Sequence, residues 1–180
     1  MDPVCIIAGV RDHPSDRRDG RSAPLGALPR VGAVQQSIQQ TLYPFSTCFG
    51  CGPSNPDGLH LTSYDSDEGV VASFQPGAQH SNGMGTLNGG VIATILDCHS
   101  GAVVFLASAR ESESGTKFQP WVTSGLELRY RLPTYLDKPS ALKASIASRE
   151  DGVMVVKATL SYDGKVRVQA ESRWVRVSRD

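Results

Sequence analysis

Between His80 and Asp97 the chain gathers residue types suited to attack on a carbonyl. The run His80-Ser-Asn-Gly-Met-Gly-Thr-Leu-Asn-Gly-Gly90 leads directly into Val-Ile-Ala-Thr-Ile-Leu-Asp97. Glycines and amide side chains ahead of an apolar helix place backbone N–H groups at a helix N-terminus. Unpaired donors and the helix dipole there hold an oxyanion or an anionic ligand. A carboxylate planted inside an apolar helix is costly unless it is paired or used. The pattern therefore suggests an electrophile clamp at one end and a base or nucleophile at the other.

The elements that must position these residues follow from periodicity. Leu59, Leu61 and Ser63 alternate with polar neighbours, as do Val70, Ala72 and Phe74 beyond the turn-like Asp65-Ser-Asp-Glu-Gly69, which predicts two antiparallel strands. A helix is expected from Leu87 to Ala109, about 23 residues and roughly 34 Å long at ~1.5 Å per residue. Four β-rich runs follow, near 120–131, 141–149, 153–162 and 165–177. Asp151-Gly152 and Asp163-Gly164, both strong hairpin signals, separate the last three. The helix is apolar nearly all round and must be buried on most sides. A single antiparallel sheet wrapped around it satisfies that need, so the expected class is α+β. Gly90, Ala93, Asp97, Gly101 and Ser108 share a narrow face of small residues, which aims Asp97 at a tight interface or a cleft.

Composition narrows the remaining choices. The 180 residues suit one domain plus an appendage. Lysine plus arginine and aspartate plus glutamate number 18 each, for a net charge of +0. No overall field draws in nucleic acid or an anionic membrane, and neither is expected as a partner. Residues 11–30 mix both charge signs with prolines and glycines and read as disordered. Residues 31–43 have apolar positions at 34, 38 and 42, suiting a short amphipathic helix. The tail is thus placed at 1–43 and the domain at 44–180. Residues 1–9 lack the basic flank and length of a secretory signal. Asp97, His99 and Ser100 interrupt the apolar helix and argue against a membrane span. With only four cysteines, Cys5, Cys48, Cys51 and Cys98, a reducing, cytoplasmic setting is expected.

These residues and this order resemble the hotdog-fold acyl-CoA thioesterases, specifically the phenylacetate-pathway type. Their signature is H-x-N-x-x-G-x-x-H-G-G with an acid eight residues after the first glycine of the pair. His80, Asn82, Gly85, Gly89, Gly90 and Asp97 stand at matching positions, and the likeness spans about residues 45–178. The stretch Cys48-Phe-Gly-Cys-Gly-Pro-Ser-Asn-Pro-Asp-Gly-Leu59 is similar to a lead-in found in part of the superfamily. One position departs: Asn88 stands where the family has histidine. The resemblance implies a hotdog fold and hydrolysis of an acyl-CoA thioester without a cofactor or metal. Asp97 would be nucleophile or general base, and the Gly89 N–H would polarise the carbonyl. It further implies that Asn82 orients water or the loop and that the Thr123 hydroxyl holds the attacking water. The loop and the acid come from different subunits in such proteins, so a dimer, often within a tetramer, is expected.

Each of these residues also has a structural alternative. Asp97 could be a buried acid satisfied by a hydroxyl such as Thr94 or a dimer contact, and Gly89 and Gly90 could serve only a tight turn. Asn88 suits a catalytic hydrogen bond as well as an N-cap, for which asparagine is preferred, but it cannot titrate near neutral pH. His80 suits bracing of the loop as well as substrate binding, and His99 suits the core. Thr123 could be an ordinary strand residue. Arg129, Arg131 and Lys138 fit a solvated face or the phosphates of coenzyme A. Cys48-x-x-Cys51 invites a metal or redox assignment, but no second pair follows. His60 and the distant Cys98-His99 look like poor completions, so packing of a turn is preferred. The rival functions are a non-catalytic acyl-thioester-binding protein and a hotdog hydratase or dehydratase, which generally needs the histidine that position 88 lacks.

Overall fold

The computed structural model describes residues 35–111 and 120–177. The expected disorder over 11–30 and the first positions of the 31–43 helix lie outside these residues. A short helix, α1 (Ile38–Leu42), begins with Ser37 as its N-cap, whose side chain accepts from Gln40 N while the Gln40 side chain reaches back to Ser37. This reciprocal box satisfies donors that an isolated first turn leaves open. Pro44, two residues past its end, cannot extend it. α1 is shorter than the expected 31–43 span, and it packs on α2 and β1.

Six strands follow: β1 (Ser63–Ser66), β2 (Gly69–Phe74), β3 (Trp121–Tyr130), β4 (Ser140–Glu150), β5 (Val153–Tyr162) and β6 (Lys165–Arg176). Between β2 and β3 stand a one-turn 3-10 helix, Ala78–His80, and the long helix α2 (Gly89–Glu111). The strands form one antiparallel sheet in the order β1-β2-β4-β5-β6-β3. The expected order of two strands, a helix and four strands holds.

The first strand is displaced from its expected place. Leu59 N donates to Phe49 O at 2.7 Å and Leu61 N to Gly50 O at 3.0 Å, so these residues pair with the Cys48–Gly52 turn. Pairing with β2 starts only at Ser63↔Ala72. Alternation of apolar side chains signals a half-buried extended chain but does not say which partner it takes.

One face of the sheet packs on α2. Ala72, Leu142, Leu160 and Val168 form one cross-strand row, and Val70, Ala144, Ala158 and Ala170 form the next. All eight side chains are buried, and from the helix Ile95, Leu96, Ala102 and Val104 fill the space above them. Each large aliphatic side chain removed from water contributes about 1.5–3 kcal/mol. α2 is the one helix among the described residues long and apolar enough to cross a bilayer. Here those same residues form the floor of a core.

A buried polar chain ties the layers together. Gln39 Nε2 donates to Ser63 Oγ at 3.2 Å, Ser63 N donates to Gln39 Oε1 at 2.8 Å, and Ser63 Oγ lies 2.9 Å from His99 Nδ1. Gln39, Ser63 and His99 are fully buried, and buried polar atoms need such partners. Burial lowers the His99 pKa to about 4, with the Val70 backbone opposing. This histidine is a neutral core residue at neutral pH.

Candidate active site

The glycine-rich loop is closed by its own side chains. Asn82 Oδ1 accepts from Met84 N at 2.8 Å and Thr86 N at 3.3 Å, and its Nδ2 donates to Thr86 Oγ1 at 2.8 Å. Gly83 (φ 83) and Gly85 (φ 81) supply left-handed turns that side chains disfavour. His80 Nδ1 accepts from Gly77 N at 2.9 Å, and the ring lies against Phe74 with centroids 5.4 Å apart. His80 therefore braces the approach to the loop.

The loop delivers the chain into α2 through Asn88. Asn88 N donates to His80 O at 2.9 Å, while its Oδ1 accepts from Gly90 N at 2.7 Å and Val91 N at 3.4 Å. Asn88 thus caps the helix. Gly89, the first helical residue, has no acceptor for its N–H among the described residues, and the Tyr130 hydroxyl donates to its carbonyl at 2.8 Å. Gly90, next along, has its N–H taken by the cap and its carbonyl accepting from Thr94 Oγ1 at 2.9 Å. A cavity of about 400 Å³ opens here, lined by Asn82, Thr86, Gly89, Tyr130, Arg131 and Pro133.

Asp97 lies two turns further along α2. It is half-buried, and its Oδ1 accepts from Thr123 Oγ1 at 2.7 Å. Burial raises its pKa, the Thr123 bond lowers it, and the nearby Cys48 raises it again. Thr94, the hydroxyl considered for Asp97, instead bonds back to its own helix. The Asp97 side chain opens on a second cavity of about 450 Å³, shared with Tyr43, Cys48, Cys98, Phe105 and Trp174. The small face of α2 is used here: a Cβ on Gly101 would lie 2.9 Å from Trp174 Cη2, and Ser108 Oγ accepts from Trp121 Nε1 at 3.2 Å.

Within one chain the expected site residues therefore divide into two groups. Asn82, Gly89 and Arg131 line the loop cavity, whereas Asp97, held by Thr123, lines the other. Eight helical residues separate Gly89 from Asp97 by roughly 12 Å along the axis. Arg131 spends its guanidinium on Gln169 Oε1, at 3.1 and 3.3 Å. Arg129 pairs with Glu127 at 2.9 Å in a groove it shares with Lys157 and Glu171, apart from both cavities.

Two features escaped the sequence. Nothing in the spacing marks the Tyr130 hydroxyl as the partner of the Gly89 carbonyl. Cys98, set aside as a poor completion of the Cys48–Cys51 pair, in fact stands with it: the three Sγ atoms lie within 4.8 Å of one another. The adjacency of Cys98 to Asp97 on the helix was the available signal.

No protein-family profile matches the sequence, and no curated protein matches it. Solved structures do. A thioesterase superfamily protein from Shewanella loihica is 26% identical with a TM-score of 0.53, over 66% of this chain and 91% of that one. A Ralstonia eutropha protein, named as a phenylacetic acid degradation-related thioesterase, gives 19% identity and a TM-score of 0.59 over 79% of this chain and 100% of that one. A Bacillus halodurans protein solved with CoA gives 23% and 0.54, over 66% of this chain and 72% of that one. The domain has the hotdog fold. Its long helix α2 is held against one six-stranded antiparallel sheet. The hotdog domain keeps its loop-to-helix junction at Asn88–Gly90 and its half-buried acid at Asp97.

Proposed function

We propose that the protein hydrolyses acyl-CoA thioesters as a homodimer, with each site formed by the loop of one chain and the acid of the other. The observation that carries this proposal is the Asp97 carboxylate, half-buried and held by Thr123, on the same helix whose first residue, Gly89, lines a separate cavity. Neither half is a site alone. A partner of the same kind brings the two halves together, because a two-fold interface gives each half of one chain to the other.

Exposed apolar residues on the outer strand support such an interface. β3 pairs only with β6 among the described strands, and Val122, Leu126 and Tyr130 expose 48%, 37% and 52% of their surface. A free sheet edge with apolar side chains is a ready surface for pairing with a second copy.

In the reaction, Gly89 N–H polarises the thioester carbonyl and stabilises the charge that grows on its oxygen. Asp97 either takes a proton from water, which attacks the carbonyl carbon, or attacks that carbon itself before water releases the acyl group. In both routes the carbon–sulfur bond breaks and the thiolate departs. A thiol with a pKa near ~8.5 is a tolerable leaving group without a general acid. Asn88, whose Oδ1 caps the helix, is therefore not required to replace the histidine of the similar proteins. Arg131 lines the loop cavity, and the guanidinium donors not bonded to Gln169 would meet coenzyme A phosphates.

The test is thiol release from a panel of acyl-CoA substrates, with a complementation arm. Asp97→Asn should lose about 10²–10⁴-fold in kcat while still binding acyl-CoA. Mixing inactive Asp97→Asn with a loop-disabled Asn82→Ala chain should restore about a quarter of wild-type activity, because half of the dimers regain one intact site. No recovery on mixing would refute the shared site. Saturable acyl-CoA binding without turnover would favour a non-catalytic binding protein, the reading consistent with Asn88 being wholly used as a cap.

A further inference from the structure

We propose that Cys48, Cys51 and Cys98 form a binding site for one thiophilic divalent metal ion, with zinc as its reference occupant, which pins the segment ahead of β1 onto α2. The inference is independent of thioester chemistry.

Geometry is the first support. The three Sγ atoms lie within 4.8 Å of one another, and Cys48 and Cys98 Sγ are 3.6 Å apart. A tetrahedral ion with Zn–S bonds of ~2.3 Å holds its thiolates about 3.8 Å from one another. Small rotations of the side chains close that difference. Fifty residues of chain separate Cys48 from Cys98, so the convergence is made by the fold.

The turn that carries the first two thiols is shaped for ligation. Gly52 N donates to Cys48 O at 2.8 Å, tightening Cys48-x-x-Cys51 so that both sulfurs face one way. The glycines are sterically required. A Cβ on Gly52 would lie 2.4 Å from Cys48 N, and one on Gly50 would lie 2.3 Å from Cys98 Sγ. The turn is thus seated directly on the third ligand.

Simple packing explains the arrangement less well. A buried cysteine behaves as a small apolar residue, which would account for Cys51 and Cys98, but Cys48 is exposed. A disulfide uses only two of the three sulfurs and leaves the last without a role. Three thiolates and one further ligand make a tetrahedral set. The fourth corner falls to a ligand from the cavity that these cysteines line together with Asp97.

The experiment uses the full chain, reduced and stripped with a chelator, then titrated with Co²⁺ and Zn²⁺. One ion per chain is expected, with thiolate-to-cobalt charge-transfer bands that Zn²⁺ abolishes. Zinc should protect three of the four cysteines from a thiol reagent. Cys98→Ser and Cys48→Ser should each weaken binding by about 100-fold or more, and Cys5→Ser should leave it unchanged. Where a serine variant fails to fold, the wild-type cobalt spectrum and thiol count decide alone. Reduced protein that binds no metal at micromolar concentration overturns the proposal, as does cobalt binding that survives Cys98→Ser. A Cys48–Cys98 disulfide in the native protein, with no metal binding after reduction, overturns it too.

Discussion

Thr123 Oγ1 donates to Asp97 Oδ1 at 2.7 Å, joining the outer strand β3 to the middle of α2. The bond opposes the upward push that burial exerts on the Asp97 pKa. The second carboxylate oxygen has no hydrogen-bond partner among the described residues, and Asp97 lines the cavity. A base must be ionised to act, so the acid limb of the kcat/KM profile should report this balance. Thr123→Val removes the lowering influence, so the carboxyl rises further and the acid limb should move to higher pH. Loss of order 10-fold at mildly acidic pH is expected, with Thr123→Ser retaining the wild-type limb. A limb that stays in place, measured across the full profile, would show that Thr123 only packs.

Asn88 separates capping from catalysis. Its Oδ1 accepts from Gly90 N and Val91 N, so Asn88→Ala should cost about 1 kcal/mol of stability in urea unfolding. Asn88→Asp keeps an acceptor at the helix N-terminus and should keep stability. It also puts negative charge beside the amide of Gly89, which opposes the developing oxyanion, so kcat should fall while the unfolding midpoint holds. Equal effects of both variants on stability and rate would contradict this division.

The hairpins were legible because their chemistry is local. Asp151-Gly152 and Asp163-Gly164 mark turns, and Gly152, Asp163 and Gly164 take positive φ values of 70, 51 and 72. The long helix was legible because its apolar run has no other stable home than a core. The place of β1 was not, since Leu59 and Leu61 alternate as a strand does yet bond to the Cys48–Gly52 turn. Asp97 and Gly89 were legible as residues, but their assignment to two cavities depends on which way each helix face points into the fold. The Cys98 thiol was invisible as a partner of Cys48 because only tertiary structure closes a gap of fifty residues.

Gly101 tests the close approach beneath the Asp97 cavity. A methyl group there would meet the Trp174 ring at 2.9 Å, tighter than contact allows. Trp174 is buried, with Phe105 against it at 6.2 Å between centroids and its Nε1 donating to Ser172 Oγ at 2.9 Å, so the ring has little freedom to yield. Gly101→Ala should therefore destabilise by about 1–3 kcal/mol, although alanine is the better helix former. Chemical unfolding measures this directly, and a stability gain would mean that the indole moves freely.

His99 makes the core sensitive to acid. Its folded pKa of about 4 lies below the ordinary histidine value, because burial disfavours the charged ring that its neighbours Ser63 and Gln39 cannot neutralise. The unfolded chain takes up the proton near pH ~6.5, so it binds more protons than the folded chain between the two values. Stability contributed by the neutral ring is therefore complete above about pH 6.5 and falls progressively toward pH 4, by roughly 3 kcal/mol in all. Urea unfolding across this range, in chelator so that no metal contributes, should show that slope. His99→Gln, which cannot take up the proton, should start less stable at neutral pH and lose less on acidification. Parallel slopes for the two proteins would assign the acid sensitivity to other groups.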